Sequence, residues 1–258
     1  IKNSIKIISM KNSLFYLIII LFFASPFFAC KKDNLTPPPS ILSGHLLYQQ
    51  DTIFVEAGQV PILVFQSGFG KVGPVGSVSQ NSFGIQNTTP TFDETGGYSL
   101  ALYNGDYKII VPIGQGPFMW KQTTPGVPDS IAVSVKGNQT VDLQVTPYYM
   151  IKSPQIAASG TDSLVASCQV QKIITDSVNA KNIDFVALYV NNTQFVAGSN
   201  NVASSSVAGS AITDMNNIKL GVHVPTVVPS QSYMFARIGV KITNVEDLIF
   251  SPLFKVQM

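Results

Sequence analysis

The sequence predicts an all-β chain: two β-sandwich domains in tandem, following a lipoprotein signal peptide. Three observations carry that expectation. Short runs of alternating apolar and polar residues fill the chain after residue 40, with turn residues between them and no sustained helical period. The alternation breaks at Pro147-Tyr148 and resumes almost at once, which divides the strands into two sets. Ahead of both sets, a largely apolar run over 14–28 stops at Ala29-Cys30.

That leading run is read first. Met10 and Lys11 open it, and a small residue before cysteine closes it, as in an export signal with a cleavage site. It falls short of the roughly 20 apolar residues a bilayer-spanning helix needs. Residues 1–29 are therefore expected to be a signal peptide, with 1–9 an upstream extension, and Cys30 to carry the lipid. Lys2, Lys6 and Lys11 lie in this part and no acid does, so a chain of net charge +2 leaves a remainder of −1. No basic patch points to nucleic acid. Residues 30–40 form the lipidated end and a tether, in which Pro37-Pro38-Pro39 favours an extended polyproline conformation.

Residues 41–147 are expected to form the first sandwich, with strands at 41–48, 60–66, 97–102, 106–111, 130–135 and 141–145. Asn104-Gly105 is a strong hairpin signal, because both central turn positions must take positive φ. Ile131, Val133 and Val135 alternate, as do Val141, Leu143 and Val145, and Gly137-Asn138 predicts a second hairpin between them.

The same residues carry a resemblance. Ser43-Gly44-His45-Leu46-Leu47, Asp93-Glu94-Thr95-Gly96-Gly97-Tyr98, Asn104-Gly105-Asp106-Tyr107-Lys108-Ile109 and the run over 133–143 resemble a carboxypeptidase-regulatory-like, or transthyretin-like, domain. Leu102-Tyr103-Asn104-Gly105-Asp106-Tyr107-Lys108, with Gly116-Pro117-Phe118 and the run over 145–152, resembles a family of two-domain Bacteroidetes surface lipoproteins of unassigned function. The resemblance implies an outer-membrane, lipid-anchored location, facing the cell surface, near outer-membrane transport proteins of glycan uptake. Lys31-Lys32-Asp33 resembles the charged signal that sends such lipoproteins to the surface.

Residues 148–258 are expected to form a fibronectin type III or immunoglobulin-like sandwich. Its strands are predicted at 150–157, 163–173, 183–190, 194–197, 218–224, 233–243 and 248–256. Tyr233 follows Val228-Pro229 as the corner tyrosine of a sixth strand would, its hydroxyl bonding back to the backbone. The serine-rich stretch 200–209 reads as a solvated loop.

Little in the sequence points to catalysis, and the expectation is a non-catalytic protein with no cofactor, no metal and no catalytic residue. His45 and His223 fall in strand patterns of different domains. No HExxH, phosphate-cradling glycine loop or nucleophile elbow occurs. Asp93-Glu94 and Glu246-Asp247 are adjacent pairs in predicted turns, whereas glycoside hydrolysis needs two carboxylates across a cleft. With Cys30 lipidated, Cys168 has no disulfide partner and reads as a small buried residue of a strand.

One connection, over 113–128, is long, rich in glycine and proline, and holds the only tryptophan, Trp120. Two readings stand side by side. In one, Trp120 is an exposed platform for the apolar face of a sugar, with Gln115, Lys121 and Gln122 bonding its hydroxyls. In the other, Phe118 and Trp120 plug the open end of the sandwich. The functional expectation is an accessory glycan-binding protein held to the membrane by its lipid. The alternative is a structural or partner-docking module without a small-molecule ligand.

Overall fold

The computed structural model describes residues 36–66 and 91–258. The signal segment 1–29, Cys30 and Lys31-Lys32-Asp33 lie outside the described residues. The architecture is all-β, two β-sandwich domains in tandem.

In the first domain, the strand Ser40–Tyr48 is the hub of one sheet. It pairs antiparallel with Gly97–Leu102 and Asp51–Thr52, and parallel with Gln139–Thr140 and Leu143–Gln144. Its alternation turns Leu42 and Leu46 inward, where both are fully buried. Gly44 is required there, because a Cβ would stand 2.0 Å from the Val141 carbonyl oxygen where the parallel segments cross. The facing sheet runs in the order Leu63–Gln66, Gly105–Ile110, Ile131–Val135, all antiparallel.

Both predicted hairpins are corrected by this arrangement. Gly97–Leu102 and Gly105–Ile110 belong to opposite sheets, so Asn104-Gly105 turns the chain from one layer to the other. The Asn104 side chain stitches that corner, its Oδ1 accepting from Ser40 Oγ at 2.7 Å and from the Gly137 amide at 3.0 Å. Ile131–Val135 and Leu143–Gln144 likewise lie in different sheets. A tight-turn signal fixes the reversal of the chain, but burial decides which layer the next strand joins.

In the second domain, Tyr149–Ala158, Ser163–Lys172 and Ile218–His223 form a three-stranded sheet. The opposite sheet orders Ala203–Ala208, Ile183–Asn191 and Tyr233–Ile242, the last also pairing with Ile249–Phe250 and Phe254–Gln257. Two expectations fail here. Residues 194–197 make no strand, and the stretch read as a loop supplies the edge strand Ala203–Ala208. Cys168 is a buried strand residue, and burial pushes its thiol up to about 11, away from nucleophilic thiolate.

The Ile183–Asn191 and Tyr233–Ile242 strands are buried on both faces over most of their length. Val186, Leu188 and Val190 face the sandwich core, while Ala187, Tyr189 and Arg237 face outward and are equally buried. The first domain covers that outer face. The Phe54 carbonyl accepts the Phe250 amide at 2.9 Å, and a single β-bridge forms between the two residues. Leu42, Ile53 and Trp120 of the first domain share one buried cluster with Leu164, Leu188 and Ile238 of the second.

Arg237 sits at this junction, fully buried, with its guanidinium 4.4 Å from the Phe250 ring centroid. Its Nε donates to Ser251 O at 3.2 Å and Nη2 to Glu94 O at 3.2 Å, while Nη1 reaches Val55 O at 3.5 Å. Burial lowers its pKa to about 10, against the pull of the nearby Glu94 and Glu56 carboxylates. Beside it, Asp247 accepts the Gly116 amide at 2.8 Å, and burial raises that carboxyl above its usual range. Gly116 is at φ +79°, and a Cβ there would lie 2.4 Å from the Phe118 ring, which gives Gly116-Pro117-Phe118 a structural reason.

Arg237→Met keeps the volume and removes the donors that the Ser251 and Val55 carbonyls, both buried, and the part-buried Glu94 carbonyl accept. The expected loss is roughly 2–4 kcal/mol, set by orphaned acceptors at ~1–3 kcal/mol each and offset by relieved guanidinium desolvation. Urea unfolding measures it, and an unchanged midpoint would mean that the junction does not depend on this side chain.

Candidate functional site

The segment 113–128 divides on folding. Phe118–Met119 pairs with Thr146–Pro147, and Gln122–Thr124 pairs with Val127–Pro128 in a small hairpin. Trp120, between these two pairings, is only 5% exposed, and its indole N–H donates to Asp129 O at 2.7 Å. The exposed-platform reading of Trp120 is therefore corrected: the ring closes the end of the sandwich together with the buried Phe118. A large ring gains more by leaving water here than its one polar atom loses, since that atom keeps a partner.

The hairpin nevertheless forms one wall of a groove of about 1100 Å³. Lys121, Gln122 and Thr124 line it beside the edge of Trp120, with Tyr48 and Gln144 from neighbouring strands. The opposite wall comes from the second domain, through Thr175, Asp176, Val178 and Asn179. Of the expected site residues, the structure brings Trp120, Lys121 and Gln122 to this groove, and Gln115 does not line it. The Gln115 amide closes a turn on Pro112 O instead.

Both charges in the groove are answered locally. Lys121 Nζ lies 2.9 Å from Asp129 Oδ2, and that hydrogen bond holds the Asp129 carboxyl below its ordinary pKa. Asp176 Oδ1 accepts the amides of Val178 and Asn179 and the Asn179 side-chain Nδ2, at 2.9–3.2 Å. What the walls offer a ligand is apolar surface from Met119, Ile173 and Val178, interspersed with hydroxyls and amides and carrying little net charge. Gln122 Oε1 braces the hairpin by accepting the Gly126 amide at 2.7 Å, which keeps its Nε2 directed away from that bond.

Other candidates disperse. His45 lies 3.8 Å from Asp142, and His223 lies 3.5 Å from Asp162, each on its own domain. Asp93 Oδ1 accepts the amides of Thr95 and Gly97 and so shapes its own turn. Among the described residues, no three metal-ligating side chains converge. Tyr233 makes no corner: it packs edge-on against Phe235 at 5.6 Å, under Lys255 Nζ at 3.8 Å. A back-bond of that kind occurs in the first domain instead, where the Tyr107 hydroxyl donates to Tyr103 O at 2.8 Å.

Sequence reasoning missed a second, smaller pocket at the same domain junction, around Glu56, Glu94 and Phe195. Its only trace in the sequence is the pair of asparagine doublets, Asn191-Asn192 and Asn200-Asn201, that brackets Phe195.

A model described as the N-terminal domain of a protein of unknown function, DUF3823, matches residues 40–146. A second, described as a domain of unknown function, DUF3823_C, matches residues 149–255. A DUF3823 family structure from Parabacteroides merdae is similar with a TM-score of 0.68 and 23% identity, over 84% of this chain and 98% of that one. One from Bacteroides ovatus gives 0.69 and 23%, with the same coverage of 84% and 98%. A structure of a candidate carbohydrate binding protein from Bacteroides uniformis gives 0.62 and 15%, over 86% of this chain and all of that one. At these identities the likeness is one of fold. No curated protein matches the chain.

The burial of Trp120 has a direct optical consequence, since it is the only indole in the chain. Its emission is expected to be blue-shifted and protected from iodide. Trp120→Ala is expected to lose roughly 3–5 kcal/mol of stability through the cavity left behind. Red-shifted, freely quenched emission would return the ring to the surface.

Proposed function

The chain belongs to the two-domain DUF3823 family, and from that premise we propose that it is a non-catalytic accessory protein that binds neutral oligosaccharides. One observation carries the reading: a groove between two domains, lined by apolar side chains interspersed with hydroxyls and amides, whose lysine and aspartate are engaged with protein partners. A neutral sugar chain brings C–H faces to apolar residues, hydroxyls to polar ones and no charge to be matched. At about 1100 Å³ the groove stands just above the ~300–1,000 Å³ range of small-molecule sites, which suits several sugar rings rather than one. The candidate carbohydrate binding protein of the same fold supports this reading without deciding it.

We further propose that the protein is tethered to the outer membrane through lipid on Cys30 and faces the cell surface, close to transport proteins that take up glycans. The apolar run ending at Ala29-Cys30 motivates this. Cys30→Ala is expected to abolish incorporation of labelled fatty acid and to release the protein from carbonate-washed membranes. Retention equal to wild type would refute the anchor.

A docking module without a small-molecule ligand is the second reading. Val178, 88% exposed on one wall, and the exposed Val127 of the opposite hairpin favour it. Calorimetry separates the two on the soluble chain beginning at Lys31, which keeps the whole compact unit Pro38–Met258. Linear gluco-, xylo- and manno-oligosaccharides of five or six rings are the probes. Saturable heat from one series is expected, and Gln122→Ala with Asn179→Ala, one amide from each wall, should weaken it ~10-fold or more. No heat from any series would leave docking as the reading that stands.

A further inference from the structure

The second pocket stands apart from the groove and has a different composition. It encloses about 260 Å³, and both domains build it. The first domain contributes Glu56, Gln59 and Glu94, and the second contributes Phe195, Ser199 and Asn200. Its size falls below the usual range for drug-sized ligands, so it suits one ring rather than a chain.

Phe195 is 53% exposed, although Val196 and Ala197 beside it are buried. An exposed phenyl ring on a floppy loop would mean little, but this loop is tied down. Asn200 Nδ2 donates to Phe195 O at 2.8 Å, and Asn191 Nδ2 donates to Asn200 O at 3.1 Å. Asn201 Nδ2 reaches Ala197 O and Gly198 O at 3.2 and 3.0 Å. Asn191, Asn200 and Asn201 thus brace the backbone that presents the exposed Phe195 ring.

Across the pocket, Glu56 is only 9% exposed, and its Oε1 accepts Ser199 Oγ at 2.6 Å, which joins the domains at the pocket wall. Ionised carboxylates only accept hydrogen bonds, while the amides of Gln59 and Asn200 both donate and accept. The buried Arg237 guanidinium, bonded to the Glu94 carbonyl, already supplies positive charge behind the two acids. That offsets one of the two acidic charges, so a cationic sugar is the control against which a neutral one is judged. An apolar face opposite carboxylate acceptors, with amides at the rim, matches a pyranose: its C–H face lies on the phenyl ring and its vicinal hydroxyls donate to the acids.

We propose that this interdomain pocket binds a single neutral pyranose ring, with Phe195 as the stacking face and Glu56 and Glu94 as hydroxyl acceptors. It is independent of the long groove, and either site can fail without the other.

Phe195→Trp in the soluble chain from Lys31 tests it, because Trp120 is buried and iodide then reports mainly on position 195. Glucose, galactose, mannose, xylose and N-acetylglucosamine are the probes, with glucosamine as the cationic control. At least one neutral sugar is expected to protect the new indole saturably, and Glu94→Gln in the same background should weaken that binding at least tenfold. The Gln122→Ala/Asn179→Ala groove variant should leave it within twofold. Saturation-transfer NMR on the chain with Phe195 intact should show the same sugar bound, and Phe195→Ala should abolish the signal. The proposal is overturned by protection that never saturates, by an unaffected Glu94→Gln variant, or by glucosamine binding much more tightly than every neutral sugar. Loss of the signal in the groove variant would overturn it as well, by placing the sugar in the groove.

Discussion

Arg237 carries a guanidinium into the middle of an apolar strand and leaves it there without water. Removing such an ion from solvent costs several kcal/mol, and the protein answers with three backbone carbonyls and a phenyl face rather than a carboxylate in contact. Two of those carbonyls, Val55 and Glu94, belong to the first domain. The planar fork can be satisfied only if both are held at fixed positions, and much of the local structure does that. Asp93 accepts the amides of Thr95 and Gly97 and so aims the Glu94 carbonyl. Gly96, at φ +71°, brings the same turn within 2.3 Å, measured from an absent Cβ, of the Ile53 carbonyl oxygen. The Asp93-Glu94-Thr95-Gly96-Gly97-Tyr98 motif is thus a device for docking one sandwich on the flank of the other.

Side-by-side docking changes what each domain can be. A sheet covered on both faces loses the usual alternation, and Ile183–Asn191 and Tyr233–Ile242 read as nearly continuous apolar runs because of it. It also creates the sites. The long groove needs the 122–128 hairpin opposite the 173–179 loop, and the small pocket needs Glu56 opposite Phe195. Ligand pockets commonly form between domains, where concavity comes from two convex bodies. Ser199 to Glu56 and Gly116 to Asp247 hold that concavity shut at two further points.

Much of the fold was legible because alternation survives wherever one strand face meets water. Leu42 and Leu46, Val133 and Val135, and Leu164, Ala166 and Cys168 all point inward as their period requires. Three features were not legible, for three reasons. Asn104-Gly105 and Gly137-Asn138 announce reversals of the chain but carry no information about which sheet follows. Ala203–Ala208 is a strand only because it pairs with Phe185–Val190, and its serines give no hydrophobic signal of their own. Trp120 and Phe195 exchange the roles that composition suggests. The glycine- and proline-rich surroundings of Trp120 fold over it, while Phe195, in a run that reads as a strand, is held out by asparagine side chains. Side-chain amides acting on backbone are invisible to a period and visible only as doublets of Asn.

The burial of Trp120 also bears on how tightly a groove of this kind can hold a ligand. Without a stacking indole, the proposed binding rests on apolar contacts with residues such as Met119, Ile173 and Val178 and on hydroxyl and amide hydrogen bonds, each of the latter worth on the order of 1 kcal/mol net because water competes for the same groups. Such a site discriminates by geometry and releases its ligand quickly. On a freely diffusing protein that would be a weak receptor. On the proposed lipid-anchored form, many copies share one surface, and a polymer held by one copy is offered to its neighbours at high effective concentration. Avidity then supplies what the single groove lacks, and a fast off-rate lets the chain pass on to a transport partner. A second, ring-sized site on the same rigid junction would add to that by engaging the polymer at another point. The proposed handover of neutral polysaccharide thus rests on a groove of little net charge whose Lys121 and Asp176 are already engaged.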